Sequence, residues 1–289
     1  VSAPGRSRQT RYLSAAVGIP LGLGVCLFLP VVFNLLVIGF MIIGMVEFFG
    51  VARSRGLVPH RFVGILCAVA ISLVAWTGRP VSMLYALVAS MIVIYTVAMA
   101  RNSRDAMANI GVTIFGIFYV GWFCSHVILL RRLPLDGDGT GIDLGGAGYV
   151  IMLLILLWLG DGGAFFAGIG WGRHKLLPAI SPNKTIEGAV GGLILTIVGA
   201  VLIQDAGRIL TTFGILLFPD VSYTGCVLVG TGIAVAGQIG DLCESYIKRD
   251  AGVKDTGNLF PGHGGFLDRF DSLLFSAPLF YYFLKFVYQ

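Results

Sequence analysis

From Ser245 to Asp271 the chain reads SYIKRDAGVKDTGNLFPGHGGFLDRFD, a polar run inside an otherwise apolar protein. Charge held beside a bilayer is costly, and it persists where paired ligands, a metal or a substrate hold it. Lys248, Arg249 and Lys254 stand ahead of Asp268 and Asp271, so cationic groups suited to phosphates precede carboxylates suited to a divalent cation. Asp241 and Glu244 lie three residues apart, and Asp268 and Asp271 repeat that spacing. Three apart on a helix means one face, so each pair can converge on one cation. Two such pairs on neighbouring helix ends would form an oxygen-rich site of the kind Mg²⁺ takes, completed by waters and substrate phosphates. The alternative for Glu244 is an ordinary i,i+4 ion pair with Lys248.

The glycine-rich entrance His263-Gly264-Gly265 precedes the last apolar run, and a helix entrance of that kind offers unpaired N–H groups to an anion. Lys248, Arg249, Lys254, His263 and Arg269 crowd the same stretch, with His263 readable as a phosphate contact, a proton carrier or a turn residue. A second constellation lies upstream. Asp161 closes an apolar run, GDGGAFFAGIGWG spans 160–172, Arg173, His174 and Lys175 follow, and SPNKTIEG spans 181–188. The glycine density at 160–172 predicts a broken helix or tight loop whose backbone N–H groups face phosphate. Gly188, Gly191 and Gly192 read instead as a small-residue packing face. Ser181 and Thr185 are candidate helix caps, and Glu187 stands near a helix entrance. Asn183 and Lys184 are candidate contacts to a triphosphate or a lipid phosphate. Glu47, alone in GMVEFFG, is either a pocket group or a helix–helix hydrogen bond.

These side chains need elements to position them, and composition says which. Of 289 residues, 56% are hydrophobic and 12% charged, with mean hydropathy +0.88, which excludes an ordinary water-soluble domain. Apolar segments fall at 12–30, 31–50, 62–78, 81–100, 109–130, 147–160, 186–203, 209–240 and 266–288. The expected fold is an all-α polytopic integral membrane protein of about nine transmembrane helices, with broken or re-entrant segments near the active site. Five spans fall in residues 1–145, and four spans with cytoplasmic loops form a catalytic region at 146–289. Pro219 and Asp220 leave a split of the 209–240 segment open. Arg6, Arg8 and Arg11 precede the run from Tyr12 to Pro30, which reads as a retained first helix. With a cytoplasmic N-terminus, fifteen of the twenty Lys and Arg residues fall inside and five outside, as the positive-inside rule asks. The basic residues are spread over many short loops, which argues against nucleic acid as a partner. Five cysteines, without CxxC spacing, read as reduced buried thiols.

The chain lacks a Walker A loop, GxSxG and HExxH, so classical P-loop ATPase, serine hydrolase and zinc protease chemistry would lack its working parts. Phosphoryl or nucleotidyl transfer at a membrane face is what these residue types support, because it demands positioning and positive charge more than a side-chain nucleophile.

The pattern S-x-x-K-R-x-x-x-x-K-D-x-x-x-x-x-P-G-H-G-G-x-x-D-R-x-D, from Ser245 to Asp271, resembles the signature of phosphatidate cytidylyltransferases, also called CDP-diacylglycerol synthases. D-x-x-A-F-F-A-G from Asp161 and S-P-N-K-T-I-E-G from Ser181 also resemble family segments, so the likeness covers roughly residues 155–275. The N-terminal spans resemble the family only as generic hydrophobic helices. Gly162 departs from the common Ser or Thr, and Asn183 from the usual Lys, which leaves one positive charge fewer for phosphate. The resemblance implies that CTP and phosphatidic acid give CDP-diacylglycerol and pyrophosphate, by direct attack of the lipid phosphate on the α-phosphorus. It further implies that Asp241, Asp268 and Asp271 hold Mg²⁺, with room for a second cation such as K⁺, and that Lys248 serves catalysis. Lys184, Arg249 and Lys254, with Lys248, would neutralise phosphate charge. Asp161, Glu187, Glu244, His263 and Arg269 would complete substrate binding. A homodimer in a bacterial cytoplasmic membrane, with the active site facing the cytoplasm, is the corresponding expectation. The competing readings are a CTP-dependent polyprenol or phytol-type lipid kinase and an ion-coupled transporter.

Overall fold

Apolar runs of this length become helices because a chain without water around it must satisfy its backbone hydrogen bonds within the segment. A computed structural model describes residues 18, 20–101, 105–134, 142–144, 146–218, 220–257 and 264–287. Among them, helical backbone at 20–28 leads to α1 (Pro30–Ser54), with Pro30 at its first position. There follow α2 (Arg61–Trp76), α3 (Pro80–Arg101), α4 (Ala106–Arg132), α5 (Ala147–Trp171), α6 (Ile186–Thr212), α7 (Tyr223–Asp250) and α8 (Leu267–Val287). Two small pairings join connections: β1 (Ile142–Asp143) lies parallel to β4 (Ile215–Leu216), and β2 (Lys175–Leu177) antiparallel to β3 (Ser181–Thr185).

Six helices, α1 and α3 to α7, are long and apolar enough to cross a membrane. The chain is therefore a polytopic, all-helical integral membrane protein. At 16 residues α2 is shorter, and α8 carries Asp268, Arg269, Asp271 and Lys285 within 21 residues.

One expectation about these elements is corrected and one is resolved. The glycine cluster at 160–172 does not break its helix: α5 is regular through Trp171. Gly160 and Gly163 are consumed in packing, since a Cβ on Gly163 would stand 2.7 Å from the Gly191 carbonyl oxygen and one on Gly192 would stand 2.8 Å from that of Gly160. This bears out the small-residue reading of Gly188, Gly191 and Gly192 and extends it to the facing helix. The apolar segment 209–240, left open above, resolves into a connection and one helix. Residues up to Thr212 complete α6, Gly214 turns the chain at φ +74°, and α7 starts at Tyr223, where the Ser222 hydroxyl accepts from the Gly225 N–H at 3.1 Å. The turn is pinned by Gln204, which donates to Asp220 Oδ1 at 2.5 Å and accepts from the Val221 N–H at 2.8 Å. Helices α5 to α8 each run without interruption, and the irregular segment is instead a π-helical stretch at Ile117–Trp122 within α4.

Contacts between connections sort the helix ends into two groups. At one end Arg55 pairs with Asp250 at 3.3 Å, the Val58 N–H donates to Asn109 Oδ1 at 2.7 Å, and Arg249 Nε donates to the Ile180 carbonyl at 3.4 Å. At the other end Arg131 Nε donates to the Cys26 carbonyl at 2.8 Å and β1 meets β4. The first end carries the C-termini of α5 and α7 and the N-termini of α6 and α8, where the sequence concentrates its charge. Among the described residues all five cysteines are free thiols, four of them buried.

The approach of α8 to α7 depends on glycine. A Cβ on Gly240 would stand 2.5 Å from the Asp271 carbonyl oxygen, and one on Gly232 2.8 Å from Leu279 Cδ2. Gly240→Val is therefore expected to cost about 1–3 kcal/mol through overpacking and to lower the melting temperature in detergent. Gly170→Ala, in open space, is expected to be neutral or to stabilise by up to about 1 kcal/mol in the same thermal unfolding measurement.

Candidate active site

Two polar clusters meet where α7 and α8 converge. In the inner one, Lys248 Nζ bridges two helices, 2.5 Å from Glu244 Oε2 and 2.6 Å from Asp268 Oδ1. These side chains are 13%, 3% and 10% exposed, so the ammonium neutralises carboxylates that have little water to stabilise them. Asp268 Oδ2 accepts from the Gly265 N–H at 2.8 Å, the Thr256 N–H at 3.0 Å and the Thr256 hydroxyl at 3.1 Å. Gly264, at φ +84°, makes the turn that brings those amides to Asp268. Glu244 Oε1 is buried without a hydrogen-bond partner among the described residues. Glu47, from α1, accepts from the Phe266 N–H at 2.8 Å, the Leu267 N–H at 3.0 Å and the Thr256 hydroxyl at 3.2 Å.

The outer cluster borders a cavity of about 480 Å³ between α5, α6, α7 and the β2–β3 hairpin. Its polar wall is Asp161, Asn183, Lys184, Gln238, Asp241 and Ser272, and Leu156, Leu157, Phe165, Ile169 and Ile233 line the rest. Lys184 Nζ lies 2.5 Å from Asp241 Oδ2. Asp161, Asp241 and Asp271 are close enough to repel one another, with Lys184 attracting both Asp161 and Asp271. Asp271 is 9% exposed and accepts from the Ser272 N–H at 2.6 Å.

The hairpin that carries Lys184 is fixed at both ends. Thr185 caps α6 by accepting from the Gly188 N–H at 3.1 Å. Glu187 accepts from the Arg173 N–H at 3.1 Å, the His174 N–H at 3.2 Å and His174 Nδ1 at 2.6 Å. Of the two candidate caps, Thr185 is one, whereas Ser181 opens β3.

The structure thus brings Asp161, Lys184 and Asp241 to the cavity, Asp271 beside them, and Glu244, Lys248 and Asp268 into the adjoining cluster. Glu187 binds the hairpin instead of the cavity. Arg249, Lys254 and Arg269 are exposed at the same end, and His263 lies outside the described residues. The i,i+4 pairing of Glu244 with Lys248 is present, and Asp268 shares the same ammonium. Thr256 and Gln238 escaped the sequence reading. A lone amide in the apolar run GIAVAGQIGD was the available signal for Gln238; nothing local marks Thr256 as a bridge between Glu47 and Asp268.

The donor set suits a hard divalent cation in kind, since carboxylate oxygens dominate it. Asp268 Oδ2 takes three donors and Oδ1 takes the Lys248 ammonium at 2.6 Å, so a cation at Asp268 would have to displace the lysine. Among the described residues no group of three or more His, Cys, Asp or Glu side chains closes around a single point, and lysine ammonium groups neutralise the carboxylates.

The sequence model of the cytidylyltransferase family matches residues 9–287. The chain is 31% identical to the phosphatidate cytidylyltransferase of Synechocystis sp. over 296 residues, covering 95% of each chain. It is 37% identical to that of Bacillus subtilis over 176 residues, 61% of this chain and 58% of the relative. The Staphylococcus aureus (strain COL) protein of the same name is 43% identical over 136 residues, 46% of this chain and 48% of the relative. The last two matches thus span little more than half, or about half, of those relatives.

Lys184 is the cation on the cavity wall that faces Asp161, Asp241 and Asp271. Lys184→Ala is expected to weaken triphosphate binding about tenfold or more, the scale of a charge-assisted hydrogen bond, with Lys184→Arg less affected. Equilibrium binding of CTP to the detergent-solubilised protein measures both.

Proposed function

The chain belongs to the cytidylyltransferase family, and from that premise we propose that it transfers the cytidylyl group of CTP to phosphatidic acid, forming CDP-diacylglycerol and releasing pyrophosphate. The observation that carries this reading is the cavity, apolar along α5 and α7 and polar where Lys184 meets Asp241 at the charged end of the helices. A lipid with a phosphate headgroup needs that combination: acyl chains beside apolar helix faces, phosphate beside an ammonium group.

In the reaction a phosphatidate oxygen forms a bond to the α-phosphorus while the bond from that phosphorus to the β-phosphate bridging oxygen breaks. The electron pair leaves with pyrophosphate. No covalent enzyme intermediate is needed, so the protein's task is alignment and charge compensation. Lys184 exchanges Asp241 for a phosphate oxygen when substrate enters, and Arg249, Lys254 and Arg269 supply further charge from the exposed rim. Lys248 holds Asp268 and Glu244 in place from within. Asp161 and Gln238 face the cavity and orient the substrate in it. Asp241, Asp268 and Asp271 would hold Mg²⁺, with a second cation such as K⁺ in the same centre. A cation held there supplies positive charge to the attacking and leaving oxygens.

The same reading sets the topology at nine spans, with the N-terminus and the Arg249 end of the helices in the cytoplasm, where CTP is dissolved. The membrane is the bacterial cytoplasmic membrane, and the chain works as a homodimer.

Purified protein given Mg²⁺, CTP and phosphatidate is expected to release pyrophosphate only when all three are present, with CDP-diacylglycerol identified by mass. Removal of the divalent cation with EDTA is expected to abolish release, and its return to restore it. Release of CDP with a phosphorylated lipid would assign the protein to the lipid kinases instead.

A further inference from the structure

Glu47 belongs to α1, far in sequence from the polar run that carries the chemistry, and nothing around it in sequence is charged until Arg53. Yet its carboxylate reaches the start of α8. Oε1 accepts from the Phe266 N–H at 2.8 Å, and Oε2 accepts from the Leu267 N–H at 3.0 Å and the Thr256 hydroxyl at 3.2 Å. These amides stand at the first turn of α8, where helix geometry leaves N–H groups without partners and the positive end of the dipole favours a carboxylate.

The fit around this group is close. A Cβ on Gly257 would stand 2.6 Å from Glu47 Oε1, and one on Gly265 would stand 2.6 Å from Oε2. The two glycines therefore admit the carboxylate between residues 256–257 and 265–267. Asp268 joins the same two stretches from the other side, through Thr256 and Gly265. The single Thr256 hydroxyl lies within donating distance of both carboxylates, so Glu47 and Asp268 share one donor. Phe40, one helical turn apart twice over from Glu47 on α1, stacks on Phe266 at 5.2 Å and Phe270 at 6.1 Å, so α1 grips the first turns of α8 by an apolar contact as well.

We propose that Glu47 is a positioning residue for the transfer reaction: it fixes the N-terminus of α8, and with it the direction in which Asp268 and Asp271 face the substrate. The N-terminal half of the chain thereby takes part in the catalytic geometry. This rests on the function proposed above, since it concerns how that site is aligned. It gives Glu47 no contact with substrate.

Two variants and two readouts test it. Glu47→Gln keeps the shape and one acceptor oxygen but turns an N–H donor toward groups that themselves donate; Glu47→Ala removes both oxygens. In hydrogen–deuterium exchange of the detergent-solubilised full chain, peptides covering 264–270 are expected to exchange at least tenfold faster in both variants, while α5 and α6 remain as in the wild type. In steady-state kinetics, the KM for CTP is expected to rise severalfold and kcat to fall about tenfold for Glu47→Gln, more for Glu47→Ala. A smaller folded fraction lowers apparent kcat alone and leaves KM unchanged, so a wild-type KM in both variants overturns the positioning role. Unchanged exchange at 264–270 overturns it as well. Wild-type protein assayed alongside separates the two claims: if it releases no pyrophosphate, the proposed reaction fails, and the exchange arm still decides whether Glu47 fixes α8.

Discussion

The bridge from Lys248 to Glu244 and Asp268 is the interaction on which the site depends. Three titratable side chains with little exposure meet there, one ammonium and two carboxyl groups, on two different helices. Taking such groups out of water is expensive, and only close pairing with further hydrogen bonds offsets that cost. Asp268 has those bonds, from Gly265 and Thr256, and so the bridge fixes not only a side chain but the start of α8. Without the ammonium, Glu244 and Asp268 would face one another as neighbouring carboxylates in a poorly hydrated setting. The glycines of α7 serve the same end. Gly240 lets the backbone of α8 approach at Asp271, and Gly237 faces Ser272 and Ser276, so the two acidic helices stand near enough for one lysine to span them.

Around this bridge the molecule divides its work between two surfaces. The cavity beside α5 and α6 is apolar for most of its wall and becomes polar at Asp161, Lys184 and Asp241. Exposed basic residues at the same end, Arg249, Lys254 and Arg269, belong to the aqueous side of that boundary. A water-soluble nucleotide and a membrane lipid can meet at such a boundary. The far end is tied by Arg131 to Cys26 and by the Gln204–Asp220 turn.

Much of this was legible because membrane helices obey few rules. Length and hydropathy located most helices, and the charged residues announced the end that matters. What local sequence misjudged was glycine. At 160–172 its density reads as flexibility, yet Gly163 sits against the α6 backbone at Gly191 and Gly160 against the Thr196 side chain, where a larger residue would collide. Propensity argues from the isolated helix, and the helix here is not isolated. The 209–240 segment stayed open for a related reason: hydropathy does not register Gln204 as the group that binds the turn at Asp220 and Val221. The site was legible by composition and not by partnership. Asp241 and Asp268 were readable as acids on helix ends, but their lysine partners, Lys184 across the cavity and Lys248 from within α7, follow only from tertiary structure. Thr256 is the clearest case, a hydroxyl with no local signal that joins an N-terminal helix to a C-terminal one.

The central claim, that one lysine holds two buried carboxylates and thereby the α7–α8 pair, is tested most directly by a double-substitution cycle read by thermal unfolding in detergent. Lys248→Met alone should cost about 3–5 kcal/mol, because it leaves buried charge uncompensated. Adding Asp268→Asn should recover part of that loss, making the double variant more stable than Lys248→Met, since one of the two facing carboxylates has gone. Losses that simply add, with the double variant less stable than either single one, would contradict the account.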